Sequence, residues 1–195
     1  DCSAKLDKII KDRLAVIFFS ATLSPFEYYK NVLVGKTADY VKFLSLSSPF
    51  PPESLEVILN TDINTTYKNR YGTKDDIAAA VCNVLDGRRG NFMIFFPSFE
   101  YSGMIMPILE KEFTRLSGND RVERKIIKQI PDMTAAEKTE YLSAFSEPYN
   151  GVLLGSAVLG GHFGEGIDLV GDRLSGAIIV GVGVPKVTPE RQIIC

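Results

Sequence analysis

The chain's 195 residues suffice for one domain with an appended segment, and 45% apolar with 24% charged residues is an ordinary globular composition that excludes disordered, collagen-like and fibrous classes. Basic and acidic side chains number 22 and 24, for a formal charge of -2, so bulk positive charge gives no argument for a nucleic-acid partner, although a local basic groove remains compatible with it. In chain order, LAVIFFSA (14–21) is the first apolar run and reads as a strand. FEYYKNVLV (26–34) reads as a helix that ends at Gly35, and SSPFPPES (47–54) as a proline-rich bend where a boundary would fall. Further strands are expected at 55–60, 91–97, 124–130, 151–156 and 175–183. Several are apolar at nearly every residue, as parallel strands are when helices shield both faces of their sheet.

The intervening helices carry their own punctuation. Thr73 with Asp76 reads as the cap of a helix whose Ile77, Val81, Val84 and Leu85 recur at helical spacing and which Gly87 ends. A second helix starts near Phe99 and is expected to be disturbed at Pro107, whose ring removes a ladder N–H. The third opens on a capping box, Thr134 with Glu137, and presents Tyr141, Leu142 and Phe145. Strand and helix alternate, which predicts an α/β domain with a mostly parallel sheet.

Cys2, Cys82 and Cys195 lie too far apart for a zinc, iron-sulfur or disulfide framework. No apolar run approaches the roughly 18 residues of a membrane span, and residues 1–13 lack a signal peptide's apolar core, so a cytoplasmic protein with no membrane partner is expected. Two phosphate motifs fail on inspection. GKT (35–37) lacks the first P-loop glycine, since Lys30 stands there, and GSAVLGGH (155–162) has Gly161 where the lysine belongs. Nor do Gly161, Gly164 and Gly166 follow the dinucleotide order. The glycine-rich loop nevertheless offers bare backbone amides at the carboxyl end of a parallel strand, the usual ligand edge of such a sheet.

GGHFGEGIDLVGDRL (160–174) with GAIIVGVGVP (176–185) resembles motif V and the following strand of XPD/DinG-group superfamily-two DNA helicases. FFSATLSP (18–25) resembles their motif III and FMIFFPSFEY (92–101) their motif IV, while SPF (48–50) and AEKTEYLSAF (136–145) also sit where that family has similar segments. The resemblance implies a RecA-like three-layer domain across 1–195, the second motor domain of an ATP-dependent helicase, with 1–50 able to include the junction from the first motor domain. It implies 5' to 3' movement on single-stranded DNA, coupled to hydrolysis of ATP with Mg2+ in the cleft between the two motor domains, in DNA repair or replication and beside the nucleoid. Ser98, Ser156, Gly160, Gly161, His162, Phe163 and Gly164 would lie along the DNA, and Thr22 would link hydrolysis to strand movement. Glu165, Gly166 and Asp168 would face the nucleotide, with Asp168 on the ribose or a coupling arginine.

The Walker A loop, the metal-binding box, the four iron-sulfur cysteines and the arginine-finger stretch do not occur, so the chain alone is expected neither to hydrolyse ATP nor to unwind DNA, and any iron-sulfur cluster would lie upstream. Read from the residues alone, Ser98 is equally a helix cap, Phe99 and Tyr101 are equally core, and Arg88, Arg89, Arg121, Arg124, Lys125 and Lys128 are equally solvated surface. Two other functions fit the same loop: a free-standing α/β enzyme for a phosphorylated metabolite, and a non-catalytic interaction module.

Overall fold

A computed structural model describes residues 3–35, 41–164 and 167–183. The chain divides into two compact units, Asp1–Ile58 and Leu59–Cys195.

In the first unit, helices α1 (Ser3–Lys11) and α2 (Phe26–Leu33) and a 3-10 turn at Pro52–Ser54 are the regular elements among the described residues, and none of the described residues there is buried. The amides of Val34 and Gly35 both donate to the Lys30 carbonyl, which ends α2 where the sequence places its end; Lys36 and Thr37 lie outside the described residues. The strand expected at 14–21 does not form. Residues 15–20 are unpaired, with Leu14, Ile17 and Phe19 exposed. An apolar run becomes a strand only when a neighbour supplies ladder partners and cover, and none does so here among the described residues. Residues 55–60 are likewise no strand, for the same reason.

The second unit carries the sheet. Its elements are α3 (Arg70–Leu85), β1 (Gly90–Phe96), α4 (Phe99–Asp120), β2 (Arg124–Lys128), α5 (Ala135–Ser143), β3 (Val152–Val158) and β4 (Gly176–Ile179). The strands pair in the order β2-β3-β1-β4, all parallel, with Gly90 opposite Val152 and Phe92 opposite Gly176. Alternation along β1 splits the core in two. Phe92, Ile94 and Phe96 meet α3 and α4 through Ile77, Val81, Ile105 and Leu109, whereas Met93 meets Tyr141, Phe145 and Phe163 on the other face. Each such side chain contributes about 1.5–3 kcal/mol by leaving water. The result is the helix–sheet–helix layering of a RecA-like α/β domain.

Two helix expectations shift. α3 starts at Arg70, three residues early, led in by a 3-10 turn at Tyr67–Asn69, and Thr73 lies inside it, donating to the carbonyls of Asn69 and Asn64 at 3.1 and 3.0 Å. A threonine hydroxyl within a helix can bond back to a carbonyl four residues earlier, so the residue type alone does not mark a start. α4 runs unbroken past Pro107. Pro107 and Gly103, whose carbonyl loses its partner, are both exposed, so water can take the freed acceptor. The capping box holds as read: the Thr134 hydroxyl accepts from the Glu137 amide, and the Glu137 carboxylate accepts from the Thr134 amide at 2.7 Å.

Candidate functional site

The carboxyl ends of four parallel strands form one edge, and two sets of amides collect there. The first comes from the turn into α4. Ser98 is its N-cap, accepting from the Tyr101 amide through Oγ at 3.2 Å and from the Ser102 amide through its carbonyl at 3.1 Å. The amides of Phe99 and Glu100, the first two of the helix, keep no intrahelical acceptor. A 22-residue helix thus points its positive end at the edge, the arrangement that suits an anion.

The second set comes from the glycine-rich loop after β3. Leu159 N–H donates to the Phe96 carbonyl at 2.8 Å, tying this loop to the end of β1 beside the Ser98 turn. Gln129, just past β2, clamps the loop's root: its amide donates to the Ser156 carbonyl at 2.9 Å, and its Oε1 accepts from the Val158 amide at 2.8 Å. Gly160 takes a φ of 72°, which its lack of a side chain permits. The amides of Gly161 and Gly164 close the loop on itself, onto the carbonyls of Val158 and Gly161. Those of Gly160, His162 and Phe163 have no acceptor among the described residues.

The expected site residues therefore separate. Ser98 and the backbone of 160–164 come together at one edge. His162 is exposed beside them. The Phe163 side chain is not at the surface: it is 2% exposed and stacks on Tyr141, with centroids 4.3 Å apart. An aromatic ring in a tight loop finds more favourable burial against the sheet than in water, so only the amide of Phe163 remains as a contact. Ser156, expected along the DNA, lies within β3 at 1% exposure, and its hydroxyl has no hydrogen-bond partner among the described residues. Asp168 is exposed, and its carbonyl, not its carboxylate, takes the Arg173 guanidinium at 3.1 Å. Glu165 and Gly166 lie outside the described residues. Thr22 belongs to the first unit, where its amide donates to the Ser20 hydroxyl at 3.1 Å.

Sequence reasoning missed two supports. Gln129 carried no signal beyond its place after a short strand. Asn91, fully buried at the start of β1, gives Nδ2 to the carbonyls of Glu147 and Arg173 and takes the Tyr149 amide on Oδ1, bracing two loops, the one before β3 and the one before β4. A polar residue opening an apolar run was its only trace. Tyr141 does double duty, donating its hydroxyl to the Ser156 carbonyl at 3.0 Å while covering Phe163; burial pushes its phenol well above the ordinary range. Among the described residues no three of His, Cys, Asp or Glu converge as metal ligands, and no helix is long and apolar enough to cross a membrane.

A parallel sheet flanked by helices, with amides gathered at its carboxyl edge, is a RecA-like α/β domain with the ligand edge usual for such sheets. The family model described as the helicase C-terminal domain matches residues 81–195, and the chain belongs to that family. It is similar to the ATP-dependent DNA helicase chl1 of Neosartorya fischeri, 27% identical across 92% of this chain and 23% of that protein. It is also similar to a probable ATP-dependent helicase of Methanocaldococcus jannaschii, 27% identical across 77% of this chain and 22% of that one. The ATP-dependent DNA helicase DDX11 of Mus musculus is 26% identical across 95% of this chain and 22% of that protein. The chain thus spans about a quarter of the length of the curated relatives it matches. These relatives bear out the resemblance to the XPD/DinG group carried by residues 18–25, 92–101 and 160–174.

Proposed function

We propose that this chain is the second motor domain of an ATP-dependent DNA helicase, gripping the phosphates of a single strand with the amides at Phe99 and Glu100 and those of Gly160, His162 and Phe163. The observation that carries this reading is the 2.8 Å bond from Leu159 to Phe96, which sets the glycine loop and the start of a long helix side by side. Two separate amide clusters on one edge suit a repeating anion better than a single phosphate. The rest of the motor supplies the hydrolytic chemistry, with ATP and its Mg2+ held mainly by residues outside this chain and Glu165, Gly166 and Asp168 contributing to the nucleotide site. Thr22 then couples the two events, strand movement runs 5' to 3', and the chain alone neither hydrolyses ATP nor unwinds DNA.

Fluorescence anisotropy of a labelled oligodeoxythymidylate, titrated with the protein, tests the reading, with ATPase activity followed in parallel. Salt-weakened binding without ATP hydrolysis is expected. Saturable binding of a phosphorylated small molecule without any binding of DNA would replace this function by a metabolite enzyme, and binding of neither would leave an interaction module.

A further inference from the structure

The edge described so far addresses phosphates and leaves the bases without a surface. Beside it, the turn Tyr67–Asn69 and the first turn of α3 set two tyrosines in the open, Tyr67 at 73% exposure and Tyr71 at 74%. Each ring has a cation over it. The Arg70 guanidinium lies 5.3 Å from the Tyr67 centroid, and the Lys74 ammonium 4.2 Å from that of Tyr71. Arg70 also lies 4.5 Å over the ring of Tyr101, which is fully buried, so this cation is anchored to the core while it orients an exposed ring. Its Nε is enclosed and has no hydrogen-bond acceptor among the described residues.

Between these groups is a hollow of about 150 Å³, lined by Tyr67, Lys68, Arg70, Tyr71, Glu100 and Tyr101. That is half of the roughly 300 Å³ at which enclosed small-molecule pockets begin, so the hollow suits a planar group resting on it better than a metabolite inside it. Glu100 and Tyr101 belong to the first turn of α4. The hollow and the amides that would hold phosphate are therefore continuous.

We propose that Tyr67 and Tyr71 form a stacking platform for one or two unpaired bases of the single strand whose phosphates run along the sheet edge. This rests on the nucleic-acid reading above. Exposed rings with a cation on one face keep the other face for a base, and the cation stays within reach of that nucleotide's phosphate. Lys68, Arg70 and Lys74 supply that charge locally in a chain whose net charge is -2. Glu100 opposes it, which favours bases rather than phosphates over the hollow itself.

The test compares binding of an oligodeoxythymidylate with that of an abasic strand of equal length, which keeps the phosphates and lacks the bases. The protein is expected to prefer the base-bearing strand by about tenfold or more. The Tyr67→Ala/Tyr71→Ala variant should lose that preference while binding the abasic strand as before, and the Tyr67→Phe/Tyr71→Phe variant should keep it. Because both rings are largely exposed, thermal melting should be unchanged in both variants; should the alanine pair melt early, Tyr71→Leu alone carries the same comparison. An undiminished preference in the alanine variant, or none in the unsubstituted protein, overturns the platform and leaves the phosphate edge standing. Failure of the unsubstituted protein to bind either strand overturns both.

Discussion

Gly155 shows how a single residue fixes the layer that supports the loop. A Cβ at this position in β3 would stand 2.5 Å from the Phe145 ring and 2.6 Å from the Tyr141 hydroxyl. Both side chains are buried, so neither can swing away. Gly155→Ala is expected to destabilise the fold by about 1–3 kcal/mol through overpacking, read as a lower denaturant midpoint. Because Tyr141 also covers Phe163, the same substitution should weaken strand binding at temperatures well below the melt; unaltered binding at wild-type stability would show that the layer yields freely. Sequence pattern placed Ser98 as a cap because the run from Pro97 into an amphipathic segment is a local signal. It left the burial of Phe163 unread because nothing local says which way a loop side chain turns, and that choice is made by long-range packing against Tyr141 of α5 and Met93 of β1.

Between elements, Asp120 and Arg124 join the end of α4 to β2. The Arg124 guanidinium holds the Asp120 carboxylate at 2.5 Å, and the Val122 amide donates to it at 3.0 Å. The arginine's hydrogen bonds, followed by that amide, keep the carboxyl well below its usual value of 3.8. A depressed pKa stabilises the folded state above the unfolded value and ceases to do so as pH falls through the folded one. Asp120→Asn should therefore melt below the unsubstituted protein at pH 7, and the gap should close progressively below about pH 4. A gap that is constant with pH would mean the pair contributes by shape alone. The sequence reading treated Arg124 as solvated surface, since a partner four residues back is invisible until β2 turns it inward.

The capping box of α5 was legible for the opposite reason, its two partners lying within one turn. Residues 14–21 and 55–60 mark the limit of pattern reading: composition says strand, and pairing decides. Ile17 at 82% and Phe19 at 89% exposure are bare apolar surface. Replacing both with lysine should lower self-association in light scattering while the melting midpoint of the protein stays where it was. An increase in aggregation, or a loss of the midpoint, would show these side chains covered in solution.

For the molecule as a whole, charge decides what kind of nucleic-acid binder this can be. The 22 basic and 24 acidic residues give no bulk positive charge, and Arg124 and Lys128, two candidates for a basic track, are engaged with Asp120 and Glu110. In the proposed function, binding comes from amides at the sheet edge plus a few cations beside it. Amides carry partial charge and release few counterions, so the salt dependence counts chiefly Lys68, Arg70 and Lys74. At roughly 0.7 per cation on a single strand, the logarithm of affinity should fall against the logarithm of salt with a slope of about -2. Lys68→Ala/Lys74→Ala should reduce that slope by about 1.4 while retaining the preference for base-bearing strands. A slope several times steeper would assign the grip to a diffuse basic surface instead, because uncharged amides such as those of Phe99, Glu100, Gly160, His162 and Phe163 cannot release so many ions.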